Sequence, residues 1–168
     1  WQMVLDSASV SATRVLGSGW EVAGGGQSFA LVPKGDHMVS VTLPDDTVET
    51  FRLQVTPSFN FLVPFSLLQA KFFPVGNAKG SLTTLDNVNL IIVDAQPGVV
   101  QLLDDSTFDV FNPQRFSYVT QGGTEFVIDR ELGLQSVTDI DGNSLTFTEA
   151  AITHSSGKSL TFSRDSLG

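Results

Sequence analysis

The sequence predicts an all-β protein, a mostly antiparallel sheet of hairpins. Apolar and polar residues alternate through His37-Met38-Val39-Ser40-Val41-Thr42-Leu43 and again through Thr47-Val48-Glu49-Thr50-Phe51-Arg52-Leu53, the period of a strand with one face in a core. Short runs of this kind are separated by turn residues such as Pro44-Asp45-Asp46 and Asp141-Gly142-Asn143. The chain also favours Thr, Val, Phe and Ser over Ala, Glu and Lys, which disfavours helix.

Taken in order, Leu16-Gly17-Ser18-Gly19-Trp20 reads as a Gly-rich loop with Trp20 as a core anchor. Residues 37–43 and 47–53 then form a hairpin about Pro44-Asp45-Asp46. Residues 65–73, boxed in by Pro64 and Pro74, fit a short helix or a buried strand equally well. Gln135-Ser136-Val137-Thr138 and Ser144-Leu145-Thr146-Phe147-Thr148 flank Asp139-Ile140-Asp141-Gly142-Asn143, where Asp-Gly accommodates the positive φ of a tight turn. Ser159-Leu160-Thr161-Phe162 is a further strand, preceded by the turn Ser155-Ser156-Gly157.

The 168 residues suffice for one ordinary core or two small ones. Nine basic against eighteen acidic residues give a net charge of −9, which argues against a nucleic-acid partner and against docking on an anionic membrane. The acids concentrate in residues 81–168, largely at turns, where Asp makes local hydrogen bonds. With no Cys there is no disulfide framework, zinc–thiolate site or cysteine nucleophile. No apolar run reaches the ~18 residues of a membrane-spanning helix. The start Trp1-Gln2-Met3-Val4-Leu5 is cut short by Asp6, and Ser163-Arg164-Asp165-Ser166-Leu167-Gly168 stops within a pattern. The chain is therefore expected to be a piece of a longer protein.

Two segments repeat. Phe126-Val127-Ile128-Asp129 leads to Gly133, and Phe162-Ser163-Arg164-Asp165 leads to Gly168, with Glu149 to Ser155 read as an insertion between them. After the first copy come Val137-Thr138-Asp139 and Asp141-Gly142-Asn143. This string resembles the RHS/YD-repeat family, with Phe in place of the usual Tyr, one extra residue between Asp129 and Gly133, and Leu134 where Arg is usual. Gly17-Ser18-Gly19-Trp20, Leu31-Val32-Pro33-Lys34-Gly35-Asp36 and Val41-Thr42-Leu43-Pro44-Asp45 resemble the region that precedes the repeats, with Asp46 where that region has Gly. The resemblance covers residues 14–53 and 98–168. It implies a β-rich region over 1–97 that precedes the repeats, and YD-like repeat hairpins over 98–168 that continue beyond the fragment. It further implies a secreted or cell-surface location and a non-catalytic place in a β-shell or stalk. The expected partners are the rest of the same polypeptide, including further repeats and a C-terminal effector.

The motifs that imitate chemistry fall short of it. Ser155-Ser156-Gly157-Lys158-Ser159 resembles the end of a phosphate-binding loop, yet Ile152 stands at its first Gly and a strand follows. Gly17-Ser18-Gly19 and Gly24-Gly25-Gly26 lack the third glycine of a dinucleotide fingerprint, the position being Val22. Asp139, Asp141 and Asn143 offer alternating oxygens as a candidate for weak Ca²⁺ binding. An EF-type loop would require Gly and Glu where Ser144 and Ala150 stand. His37 and His154 are the only imidazoles and neither lies in a nucleophile-elbow context, so no catalytic residue and no cofactor is expected. The alternative to the scaffold is a carbohydrate or cell-surface binding module, in which Trp20 or Trp1 would stack on a sugar ring.

Overall fold

The computed structural model describes residues 11–15, 20–25, 28–33, 37–56, 68–96 and 99–163. The described elements are all strands: β1 Ser11–Val15, β2 Trp20–Gly25, β3 Ser28–Pro33, β4 Met38–Thr42, β5 Val48–Thr56, β6 Leu68–Val75, β7 Ser81–Thr84, β8 Asn89–Gln96, β9 Val99–Asp104, β10 Arg115–Val119, β11 Glu125–Asp129, β12 Gly133–Thr138, β13 Ser144–Phe147, β14 Ala151–His154 and β15 Ser159–Thr161. They form an eight-stranded sheet ordered β1-β4-β5-β6-β8-β9-β2-β3 and a seven-stranded sheet ordered β15-β14-β13-β12-β11-β10-β7. Every pairing within them is antiparallel, as the alternation predicts.

The hairpin over residues 37–53 is β4 and β5, with Val39 opposite Phe51 and Val41 opposite Glu49. Of the two readings of residues 65–73, the strand holds for the described part: β6 runs from Leu68 through Pro74 and pairs with β5. Proline is tolerated there because, among the described residues, β6 pairs with β8 at Leu68 and Gln69 alone, so the far end of β6 has no ladder to lose on that side. The segment read as an insertion is partly a strand, β14, which carries the meander from β13 to β15. The sheets do not divide at residue 97. β9 completes the eight-stranded sheet beside β8 and β2, while β7 belongs to the other sheet beside β10.

One turn geometry recurs. In residues 43–47, 120–124, 139–143 and 154–158, the first residue's N–H donates to the fifth residue's carbonyl at 2.8–2.9 Å. The fourth residue's N–H donates back to the first carbonyl at 2.9–3.1 Å. This is a three-residue hairpin connection whose fourth position needs a left-handed backbone. Gly123, Gly142 and Gly157 occupy it with φ of 86°, 85° and 84°, and Asp46 occupies it with φ of 63°. The Asp that replaces the expected Gly thus leaves the turn type unchanged, since Asp is among the few side chains that visit this region.

The two sheets share a core. Val39, Val41 and Phe51 from the first sheet pack with Leu82, Phe116, Tyr118, Phe126, Ile128 and Leu134 from the second. Phe72 meets Phe116 edge-on at 5.6 Å between ring centroids, and Phe51 meets Tyr118 at 6.0 Å, the arrangement favoured by aromatic quadrupoles. A second cluster joins Leu53, Leu68, Ala70, Leu90 and Leu102 of the first sheet to Phe111 in the segment between β9 and β10.

Candidate functional site

Among the described residues, those singled out from sequence are not brought together. Trp20 lies in β2, its backbone opposite Pro33 and Val100, and its side chain and the whole of Trp1 lie outside the described residues. Gly17, Ser18, Gly19 and Gly26 also lie outside them, as does the end of the second repeat copy from Arg164 to Gly168. His37 is buried at the entry to β4. His154 ends β14 and opens the turn before β15, its Nδ1 accepting from the Ser156 N–H at 3.0 Å. The phosphate-loop imitation is that same turn, followed by β15.

Asp139 organises its own hairpin turn. Its Oδ1 accepts from the Asp141 and Asn143 N–H groups at 2.9 and 2.8 Å, and its Oδ2 from Asn143 Nδ2 at 2.9 Å. The side-chain and backbone donors of Asn143 hold its carboxyl below the usual carboxylate range. Asp129 opens the first repeat's turn in the same way, accepting from the N–H groups of Glu131 and Leu132. Among the described residues no three His, Asp or Glu side chains converge as a metal set.

Two constellations were not legible in the sequence. In one, Asp104 Oδ1 accepts from the Ser106 hydroxyl and N–H, from the Thr107 N–H and from Asn87 Nδ2, which also reaches Asp105. The Ser106 hydroxyl is the strongest influence; burial, next in size, opposes it, and the Asn87 amide and the two N–H groups add to the hydroxyl to hold the Asp104 carboxyl at about 2. The same loop places Phe108 at φ of 62° with its side chain exposed.

The other lies at the joint between the sheets. Glu49, on β5, stands among Val39, Val41 and Phe51 on the inward face and is only 8% exposed. Its Oε1 accepts from the Lys79 N–H at 3.1 Å. Its Oε2 accepts from the Gly80 N–H at 2.9 Å and from the Tyr118 hydroxyl at 2.9 Å. Burial pushes the Glu49 carboxyl up, but the Gly80, Lys79 and Tyr118 donors outweigh it and leave it below the usual range. Burial, then the bond to the Glu49 carboxylate and its charge, pushes the Tyr118 hydroxyl up.

Gly80 is required by contact rather than by backbone conformation. A Cβ there would come within 2.6 Å of Tyr118 Cζ and Oη. The ring therefore lies directly on the Gly80 backbone, which brings its hydroxyl to the carboxylate. Chemically the arrangement is a saturated anion clamp: one strand of the first sheet, the β6–β7 connection and one strand of the second sheet meet at a single carboxylate. A buried charge with three donors is stable where an unpaired one would not be. The signal that could have flagged it is Glu49 itself, an acid at an inward position of an otherwise apolar alternation. The chain matches no known protein family, no curated protein and no solved structure.

Proposed function

We propose that this chain is a non-catalytic structural segment of a large secreted or surface protein of the RHS/YD-repeat kind, a piece of β-wall in a shell or stalk that encloses or presents a C-terminal effector. The observation that carries this is the seven-stranded sheet, in which β10 to β15 follow one another as hairpins. Along it Leu82, Tyr118, Phe126, Val137 and Leu145 stand directly opposite one another, strand after strand, on the inward face. Each hairpin alone is too thin to bury its apolar side, and the sheet gains stability by addition of neighbours.

The test combines truncation with ligand screening. Removing β14 and β15 is expected to lower the urea midpoint, because a stacked array loses one interface with each terminal unit. The intact chain is expected to turn over nothing in a broad hydrolase panel and to bind nothing on a glycan array. Turnover dependent on His37 or His154 would overturn the reading. Glycan binding lost in Trp20→Ala or Trp1→Ala, with the fold intact, would replace it with the binding-module alternative.

A further inference from the structure

The turns at one end of the seven-stranded sheet share a device but not its chemistry. In residues 120–124, 139–143 and 154–158 the side chain of the first residue accepts a backbone N–H of its own turn. Thr120 Oγ1 accepts from Thr124 at 3.1 Å, Asp139 Oδ1 from Asp141 and Asn143 at 2.9 and 2.8 Å, and His154 Nδ1 from Ser156 at 3.0 Å. A hydroxyl keeps its lone pairs at any ordinary pH, and the Asp139 carboxyl is held below the usual value of 3.8. The third acceptor is an imidazole, the side chain that changes charge between pH 5 and 8.

Geometry fixes how that nitrogen is used. A backbone N–H can only donate, so Nδ1 presents its lone pair and the proton of the neutral ring sits on Nε2. The Ser156 hydroxyl lies 2.9 Å from the same Nδ1. An imidazolium carries protons on both nitrogens. The hydroxyl, which accepts as well as donates, then keeps its contact by reversing it, whereas the Ser156 N–H loses its acceptor. Leu145 stands opposite His154 on β13, and Val137 beyond it on β12. Asp139 and Asp141 lie in the neighbouring turn, joined to this one through Ser144 and Ser155. Asp139 is committed to the donors of its own turn, and Asp141 is exposed. Lys158, the fifth residue of the turn, sets a cation beside an imidazolium, and β15 (Ser159, Leu160, Thr161) brings no titratable side chain.

We propose that residues 154–158 form a pH-operated latch on the β14–β15 hairpin, closed while His154 is neutral and loosened when it takes up a proton. The hairpin has little else to hold it. β15 is three residues long with every side chain exposed, and among the described residues it pairs with β14 alone. Water satisfies the freed Ser156 N–H but does not tie the first and third residues of the turn together. The latch acts apart from the Glu49 carboxyl, which lies below the usual 4.5 and so stays ionised throughout the imidazole window. Nor does it rest on the wall reading, which the truncation series tests separately.

The test is amide hydrogen exchange of the whole chain at pH 7.5 and pH 5, across the window in which imidazoles change charge, each rate divided by the intrinsic rate at that pH. The His154 N–H, bonded to the Lys158 carbonyl, and the Gly157 N–H, bonded to the His154 carbonyl, are expected to lose about fivefold in protection at pH 5, the scale of one ordinary hydrogen bond. The Asp139 and Gly142 N–H groups of the neighbouring turn are expected to keep theirs. His154→Thr and His154→Asp install the acceptors of the other two turns and are expected to remove the pH response with the fold intact. Nitrogen shifts of the neutral ring are expected to show the Nε2–H tautomer. An Nδ1–H tautomer at pH 7.5, equal protection at both pH values in the unaltered chain, or a loss that survives in both variants overturns the latch. A loss at Gly142 as large as that at Gly157 does the same, because it marks loosening of the whole sheet end.

Discussion

Replacing Glu49 by alanine removes an acceptor on which two sheets and a connection converge. The Gly80 N–H and the Tyr118 hydroxyl are buried with it, whereas Lys79 is exposed and its N–H can turn to water. Two buried donors left unpaired cost ~1–3 kcal/mol each, and water entering the vacated volume offsets part of that, so Glu49→Ala is expected to destabilise by about 2–4 kcal/mol. For a chain of this size, the corresponding fall in melting temperature is roughly 10 °C. Tyr118→Phe deletes one of the three donors and leaves the carboxylate with two, for an expected cost of ~1–2 kcal/mol. The double variant should cost less than the sum by ~1 kcal/mol, because both changes remove the same bond. Urea unfolding at pH 7, followed by circular dichroism, measures all three, with the m-value as the check that only stability has changed. The pH dependence supplies an independent arm. The folded-state carboxyl of Glu49 sits below its usual value, so its contribution is fully present above the unfolded value of 4.5 and is lost as the pH falls through the folded one. The gap between wild type and Glu49→Ala should therefore narrow on acidification below pH 4.5. A cost within ~0.5 kcal/mol at pH 7, the range of an ordinary surface change, would refute the clamp, as would strict additivity with Tyr118→Phe.

Gly80→Ala is expected to cost ~1–3 kcal/mol by overpacking against the Tyr118 ring, with a changed near-ultraviolet tyrosine signal; an unaffected urea midpoint would mean that the ring can move. At the left-handed position of the β4–β5 turn, Asp46→Gly should raise stability by ~0.5 kcal/mol and Asp46→Val should lower it by ~1–2 kcal/mol. Thermal unfolding that fails to rank Gly above Asp above Val would count against the assigned turn. Carboxyl titration by nuclear magnetic resonance should place Asp104 at about 2, and Ser106→Ala should raise it toward 3.8. Because the folded value is depressed, the stability that Asp104 contributes is present above pH 3.8 and lost as the pH falls toward 2.

Much of the local structure was legible. The 37–53 hairpin, the 135–148 hairpin and the strand at 159–162 could be read because alternation and turn chemistry act over only a few residues. The position of the turn at Pro44-Asp45-Asp46 was legible too, whereas its type was decided only by the backbone of Asp46, at φ of 63°. β7, β8, β9 and β14 were not legible. Ser81–Thr84 and Ala151–His154 are four residues each, too short to show a period. Asn89–Gln96 opens as the unbroken apolar run Leu90-Ile91-Ile92-Val93, which no alternation marks. Of the candidate site, Asp139 and its turn were visible, whereas Asn87 beside Asp104 and Tyr118 beside Glu49 are 17 and 69 residues apart.

By itself, then, the sequence determined that the chain would be antiparallel strands joined by tight turns, because backbone preference, side-chain alternation and the Asp and Gly of the turns are properties of neighbouring residues. Only the tertiary structure decided which strands share a sheet, that β7 crosses to the second sheet while β9 stays in the first, and that Glu49 accepts its hydrogen bonds from Lys79, Gly80 and Tyr118. Those outcomes depend on which apolar faces can close over one another and on whether a buried carboxylate finds donors when they do. Both are set by distant residues meeting in space.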